Sequence, residues 1–190
     1  MASVFEILGW DHEEVKRMLS EFETGPTAAT GASADQLALR KKMAQALVIG
    51  ESRHEAAEEM YFWPTVRERL PDGDQLADLA IGQEQEAKEV LARLDKAEAD
   101  DPEFEDLLAK FISAGREHIA FEEAQVWPGL RVVLTEAEAA ELGDKLEQAT
   151  SKAPTRPHPH TPALPGVLKS TGPAAAAVDK VRDAMSHRRD

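Results

Sequence analysis

Apolar residues recur every three to four positions along most of the chain, and no segment alternates with a period of two, so the sequence predicts helices without strands. Val4, Ile7, Leu8, Val15, Met18, Leu19 and Phe22 form one stripe over 3–23. Gly25-Pro26 and the small residues up to Ser33 interrupt the period and predict a loop. A second helix spans 34–70. Pro64 lies inside it, lacks a backbone donor and crowds the preceding turn, so a kink or a loosened turn is expected there. Pro71-Asp72-Gly73-Asp74 reads as a turn, with Asp74 a candidate cap for a third helix over 74–99. Its expected inward positions are Leu76, Leu79, Ala80, Ala87, Val90, Leu91 and Leu94. Asp101 followed by Pro102 predicts the start of a fourth helix, which Pro128-Gly129 ends or bends near 127. Thr135 with Glu138 forms a capping-box pattern that opens a short fifth helix over 135–150.

Short loops make neighbouring helices antiparallel, so the expected fold is all-α: an up-down-up-down four-helix bundle with a short fifth helix, occupying 1–150. The second and fourth helices then run parallel. After Ser151 the composition changes. Pro154, Pro157, Pro159, Pro162 and Pro165 cannot continue a helix, so 151–190 is expected as an extended Pro-rich tail along the bundle, with one short helix over 174–187.

The 190 residues suffice for one domain with a proper core. A formal charge of −14 makes nucleic acid and anionic membrane surfaces poor partners but does not oppose a cation. The absence of cysteine removes disulfides, iron–sulfur clusters and thiolate chemistry, leaving His and carboxylate as the strong ligands. The first ten residues lack the basic start and apolar core of a signal peptide, and no apolar run approaches about 18 residues, so a cytoplasmic protein is expected.

Against that background one pattern stands out because it occurs twice. Arg53-His54-Glu55-Ala56-Ala57-Glu58-Glu59 leads to Trp63-Pro64, and Glu117-His118-Ile119-Ala120-Phe121-Glu122-Glu123 leads to Trp127-Pro128. On a helix, residues four apart share a face, about 5–6 Å apart at Cβ, so each copy presents one imidazole and one carboxylate to the same point. A single His with a Glu four positions on is commonly a solvated contact. The shared second Glu and Trp-Pro make the repeat a metal pattern, and two such helices facing each other would enclose transition ions, two irons above all. His12 lies on the stripe of Leu8, Val15 and Leu19. A lone His there is ordinarily a hydrogen-bonded core residue; beside two His/Glu pairs it becomes the candidate third imidazole. Tyr61, one turn beyond Glu58, is a candidate catalytic residue, set against the ordinary reading of a core tyrosine with its hydroxyl satisfied. Glu59 and Glu123 are expected to contact ligating imidazoles or face water. Trp63 and Trp127 are expected to pack the bundle end, and His158, His160 and His187 to belong to the tail. Glu51-Ser52-Arg53-His54 also fits the Glu-x-x-His motif of ferritin-like carboxylate proteins, but the matching position in the second copy is Gly115, so only His-x-x-x-Glu repeats.

On Asp11-His12, His54/Glu58 and His118/Glu122 the chain resembles the hemerythrin-like, or HHE cation-binding, family over 4–130. The stretch Arg156-Pro157-His158-Pro159-His160 is similar to the tail of actinobacterial members. The resemblance implies an up-down four-helix bundle holding two non-haem irons, bridged by the two carboxylates and an oxo or hydroxo species. It also implies a small-molecule ligand: hydrogen peroxide, dioxygen or nitric oxide. The family carries a His in its third helix, in a register that Leu91 and Leu94 set. Here that slot falls on Glu84, and the third helix has no His. Either Glu84 supplies an oxygen ligand or the position is open to water, with Gln83, nearer the centre of the apolar face, the alternative. Oxygen-carrying members use more imidazoles and fewer carboxylates. Replacing a neutral imidazole by an anion stabilises the ferric state, more so in a low-dielectric site. The expected function is therefore catalase-like disproportionation of hydrogen peroxide, or action on dioxygen, with an O2, NO or iron binding or sensing module as the alternative.

Overall fold

The computed structural model of the protein describes residues 2–161 and 165–185, and among these all regular structure is helical. Helix α1 (Val4–Thr24) is entered through Ser3, whose amide and hydroxyl both donate to the Glu6 carboxylate. Helix α2 (Ala34–Ala57) starts with the reciprocal pair Ser33 and Gln36, which satisfies two otherwise orphaned donors. It runs into a π turn (Glu58–Phe62) and then α3 (Trp63–Arg69). Helix α4 is Gly73–Leu94 and α5 is Phe104–Phe121. A second π turn (Glu122–Val126) leads to α6 (Trp127–Val133), followed by α7 (Glu136–Thr150) and α8 (Pro165–Met185).

Both Trp-Pro motifs behave alike. Each proline falls in the first turn after a π turn, where its missing donor costs least, so neither ends its helical run. The fourth run therefore continues to Val133 instead of stopping near 127. Three other boundaries differ from expectation. Asp74 does not cap α4: the helix begins at Gly73, and Asp74 pairs with Arg67 at 3.1 Å. Gly73 is required there, since a Cβ would lie 2.1 Å from the Val66 carbonyl oxygen. Asp101 does not start α5 either. Its carboxylate takes the Glu98 amide at 2.7 Å, a local turn that competes with helix initiation and delays the start to Phe104. Upstream, α4 stops at Leu94 because the amides of Asp95, Lys96 and Ala97 turn back onto Leu91 and Arg93. Leu79 is 52% exposed while its neighbour Ala80 is buried, so the inward stripe of α4 is narrower than its apolar residues suggest.

The buried apolar side chains form two clusters. One gathers Val4, Phe5, Leu8, Phe62, Trp63, Val66, Ala77, Ala80, Val126, Trp127 and Leu130. The other gathers Leu19, Phe22, Leu47, Val48, Leu91, Leu94, Phe104, Leu107 and Phe111. Helix α1 runs from the first cluster to the second, α2 returns, α4 goes out again and α5 returns, so direction alternates along the chain. Contacts between α1 and α2, α2 and α4, α4 and α5, and α5 and α1 close the ring. Helix α7 is capped by Thr135, whose hydroxyl accepts the Glu138 amide as expected, and it packs against α1 and α2.

The tail follows α4 before turning helical. Arg156 bridges Asp95 at 2.9 Å and Asp183 at 2.8 Å, Gln85 donates to the Pro159 carbonyl at 2.7 Å, and His158 pairs with Asp179 at 3.0 Å. Helix α8 is longer than expected, starting at Pro165 instead of 174 and containing Pro173. A proline is tolerated in a first helical turn, which composition alone did not weigh. Pro162 and the expected helix end at His187 lie outside the described residues. No helix among the described residues is long and apolar enough to cross a membrane.

Candidate metal centre

Between the two clusters, four helical runs turn polar side chains inward. Helix α1 brings His12, α2 brings His54 and the π turn after it Glu58, α4 brings Glu84, and α5 brings His118 and the π turn after it Glu122. A polar layer is thereby sealed between two apolar ones. Glu58 and Glu122 are fully buried, and His12 is 1% exposed.

The six side chains form two groups that share one carboxylate. Donor atoms of His12, His54, Glu58 and Glu122 lie within 4.8 Å of one another, and so do those of Glu58, Glu84 and His118. Glu122 also reaches both sides, with Oε2 3.1 Å from His12 Nε2 and Oε1 3.3 Å from His118 Nε2. His54 Nε2 stands 3.2 Å from Glu58 Oε2. The arrangement is two half-sites, one with His12 and His54 and one with His118 and Glu84, spanned by Glu58 and Glu122.

Buried polar atoms ordinarily find hydrogen-bond partners, and leaving one without costs about 1–3 kcal/mol, more when it is charged. Here both oxygens of Glu58, both of Glu122, Oε2 of Glu84, and Nε2 of His12 and His118 are buried without a hydrogen bond among the described residues. All of these atoms belong to side chains of the same layer. Three carboxylates and three imidazoles with their lone pairs converging fit cations, and the oxygen–nitrogen donor set without sulfur fits iron, manganese or zinc.

The outer nitrogens are held. His12 Nδ1 meets Glu123 Oε1 at 3.0 Å, His118 Nδ1 meets Gln83 Oε1 at 3.1 Å, and His54 Nδ1 meets Asp11 Oδ2 at 3.4 Å. With these oxygens as acceptors, Nδ1 carries the proton and Nε2 presents a lone pair inward, as ligating histidines do. Lys16 shares Glu123, donating to Oε1 at 2.9 Å. Trp127 stacks on His12, ring centroids 5.1 Å apart and 14° between planes.

The electrostatics say the same thing. Burial pushes the Glu58 carboxyl well above its ordinary range, and Glu122 and Glu84 push it further. Burial likewise raises Glu84, only partly offset by His118. Burial alone would raise Glu122 too, but His118 and His12 outweigh it and hold that carboxyl far below the usual range. For His54 and His118, burial disfavours the charged form, yet Asp11 beside the one and Glu122 beside the other leave both raised. The layer attracts positive charge, whether protons or metal ions.

All six residues read from the sequence as candidate ligands meet in this layer. Tyr61 sits within the first π turn, partly buried against the apolar cluster, and lines a cavity with Lys145, Gln148 and Pro173. Glu123 contacts His12 as expected, whereas Glu59 pairs with Lys88. Gln83 holds the ring of His118. Glu51, the ferritin-like position, is buried but outside both groups. Sequence reasoning missed Lys16, Lys88 and the donation of the Trp63 indole to Glu84. Lys88 carried a usable signal, since it stands four residues after Glu84 on the same helix face.

A family model described as the hemerythrin HHE cation-binding domain matches residues 3–130. The chain is 29% identical over 135 residues to an uncharacterised hemerythrin-like protein of Schizosaccharomyces pombe, a match that spans 70% of this chain and 66% of that protein. Among solved structures it is similar to a hemerythrin HHE cation-binding domain-containing protein from Mycobacterium kansasii. That likeness has a TM-score of 0.65 at 18% identity and covers 100% of this chain and 96% of the other.

Proposed function

The chain belongs to the hemerythrin HHE cation-binding family, and we propose that within it this protein is a non-haem di-iron oxidoreductase that disproportionates hydrogen peroxide to water and dioxygen. The observation that carries the reading is the pair of fully buried carboxylates, Glu58 and Glu122, each facing imidazoles with oxygens that no hydrogen bond among the described residues satisfies. His12 and His54 would hold one ion, His118 and Glu84 the other, and Glu58 and Glu122 both. When bound, such an iron pair supplies two-electron redox chemistry toward peroxide.

The chain's own part is positioning. Glu123, Asp11 and Gln83 fix the rings of His12, His54 and His118 with each Nε2 turned inward. The apolar clusters on either side, including Phe62, Trp63 and Val126, exclude water and keep the local dielectric low. Three anionic donors beside three neutral ones favour the more highly charged metal state, which suits turnover of peroxide better than reversible carriage of dioxygen. An oxygen electrode tests this. Peroxide added to iron-loaded protein is expected to release one dioxygen for every two peroxides consumed, and metal-stripped protein is expected to release none. No metal-dependent release, with a reversible adduct under air, would overturn turnover in favour of a binding or sensing module.

A further inference from the structure

The two Trp-Pro motifs set chemically matched indoles beside the metal layer, yet the indoles do different things. Trp127 lies flat on His12, and its Nε1–H is buried without a hydrogen-bond partner among the described residues. Trp63, also fully buried, donates its Nε1–H to Oε1 of Glu84. The other oxygen of Glu84, Oε2, is buried and unpartnered, and Glu84 is grouped with Glu58 and His118. Lys88, four residues on, is committed to Glu59 across the helix pair. The contrast follows the repeat: Trp127 stands opposite the helix that offers an imidazole, Trp63 opposite the helix that offers a carboxylate.

A carboxylate with two free oxygens can rotate and bind through either or both. A neutral donor on one oxygen removes that freedom while leaving the negative charge in place. We propose that Trp63 is a positioning residue that fixes Glu84 as a single-oxygen donor at the second metal position, so that a carboxylate serves where the third helix lacks an imidazole. The inference rests on the reading of Glu84 as a ligand.

The test uses zinc, a redox-silent probe, titrated into the full-length protein against a chromophoric chelator. Wild type, Trp63→Phe and Trp127→Phe are compared, each with and without Glu84→Ala. Both Phe variants keep an aromatic ring and lose an indole, but only one loses a hydrogen bond to a ligand. Trp63→Phe is expected to weaken one of two zinc equivalents by about 10–100-fold. Trp127→Phe should cost several-fold less, and in the Glu84→Ala background Trp63→Phe should add nothing. Equal losses in the two Phe variants, or an undiminished Trp63 effect without Glu84, would overturn the proposal. A wild type that takes up no zinc would overturn the site itself; two equivalents with equal losses would overturn this inference alone. If Trp63→Phe fails to fold, the indole N–H resonances of 15N-labelled wild type decide. The Trp63 signal should exchange slowly and shift on zinc addition, and an unmoved Trp63 signal would overturn the assignment.

Discussion

Removing the carboxylate behind His12 should weaken metal binding by an amount that its surroundings set. Glu123 accepts from His12 Nδ1 at 3.0 Å, and the imidazole it supports is almost fully buried. Loss of such an outer partner typically costs 10–100-fold in affinity, about 1.4–2.7 kcal/mol. Two features place the variants within that range. Glu123 is 33% exposed and shares its charge with Lys16, so its negative charge is partly screened before it reaches the ring. Glu123→Gln, which keeps an acceptor oxygen but loses the charge, should therefore sit near the lower end, about 10-fold. Glu123→Ala, which leaves a buried ring nitrogen without its partner, should approach about 100-fold. Asp11 stands further from His54, at 3.4 Å, and is 42% exposed, so Asp11→Asn should cost less than Glu123→Gln. Competition titration with zinc against a chelator of known affinity measures all three. A Glu123→Ala chain within about twofold of wild type, or an Asp11→Asn loss exceeding that of Glu123→Ala, would refute the argument that the outer partner orients the ligand.

Three further outcomes follow from the same geometry. His54→Ala and His118→Ala should each lose most bound iron while circular dichroism stays helical, because apolar burial supplies the stability of a domain this long; full iron retention in both would contradict the site. Glu58→Gln should perturb iron content and spectrum more than Glu84→Gln, since a carboxylate facing both half-sites holds two ions and a terminal one can be replaced by water; the reverse order would remove Glu58 from the bridging position. Glu58, Glu84, His54 and His118 all have folded-state pKa values raised above their ordinary ones, so between about pH 5 and 8, where the lowered Glu122 is ionised folded and unfolded alike, the metal-free folded chain holds more protons than the unfolded chain. The stability these groups contribute falls as pH rises through that window, so the melting temperature of metal-free protein should drop between about pH 5 and 8. Metal-loaded protein should lose most of that slope, because cations replace the protons, and a metal-free melting curve that rises with pH would contradict the buried charge layer.

The candidate site was legible because its information is local and duplicated. His and Glu four apart on two helices, each followed by Trp-Pro, specify which faces meet, and the stripe through Leu8 and Val15 carries His12 to the same level. Glu84 was reached only through a register set by leucines. What escaped the sequence depends on small local differences or on distant partners. The starts of α4 and α5 turn on capping choices worth about 1 kcal/mol, which a close approach at Gly73 and a side-chain turn at Asp101 decide. The pairing of Lys88 with Glu59 and of Trp63 with Glu84 joins helices that no periodicity relates.

The account's central claim is a two-metal layer spanned by Glu58 and Glu122. The most direct measurement is the iron bound per folded chain after anaerobic loading and removal of excess metal, determined for wild type and for Glu58→Ala/Glu122→Ala together. Two irons per wild-type chain, lost in the double variant, is the predicted result; one iron or none in wild type, or two retained without these carboxylates, would contradict it.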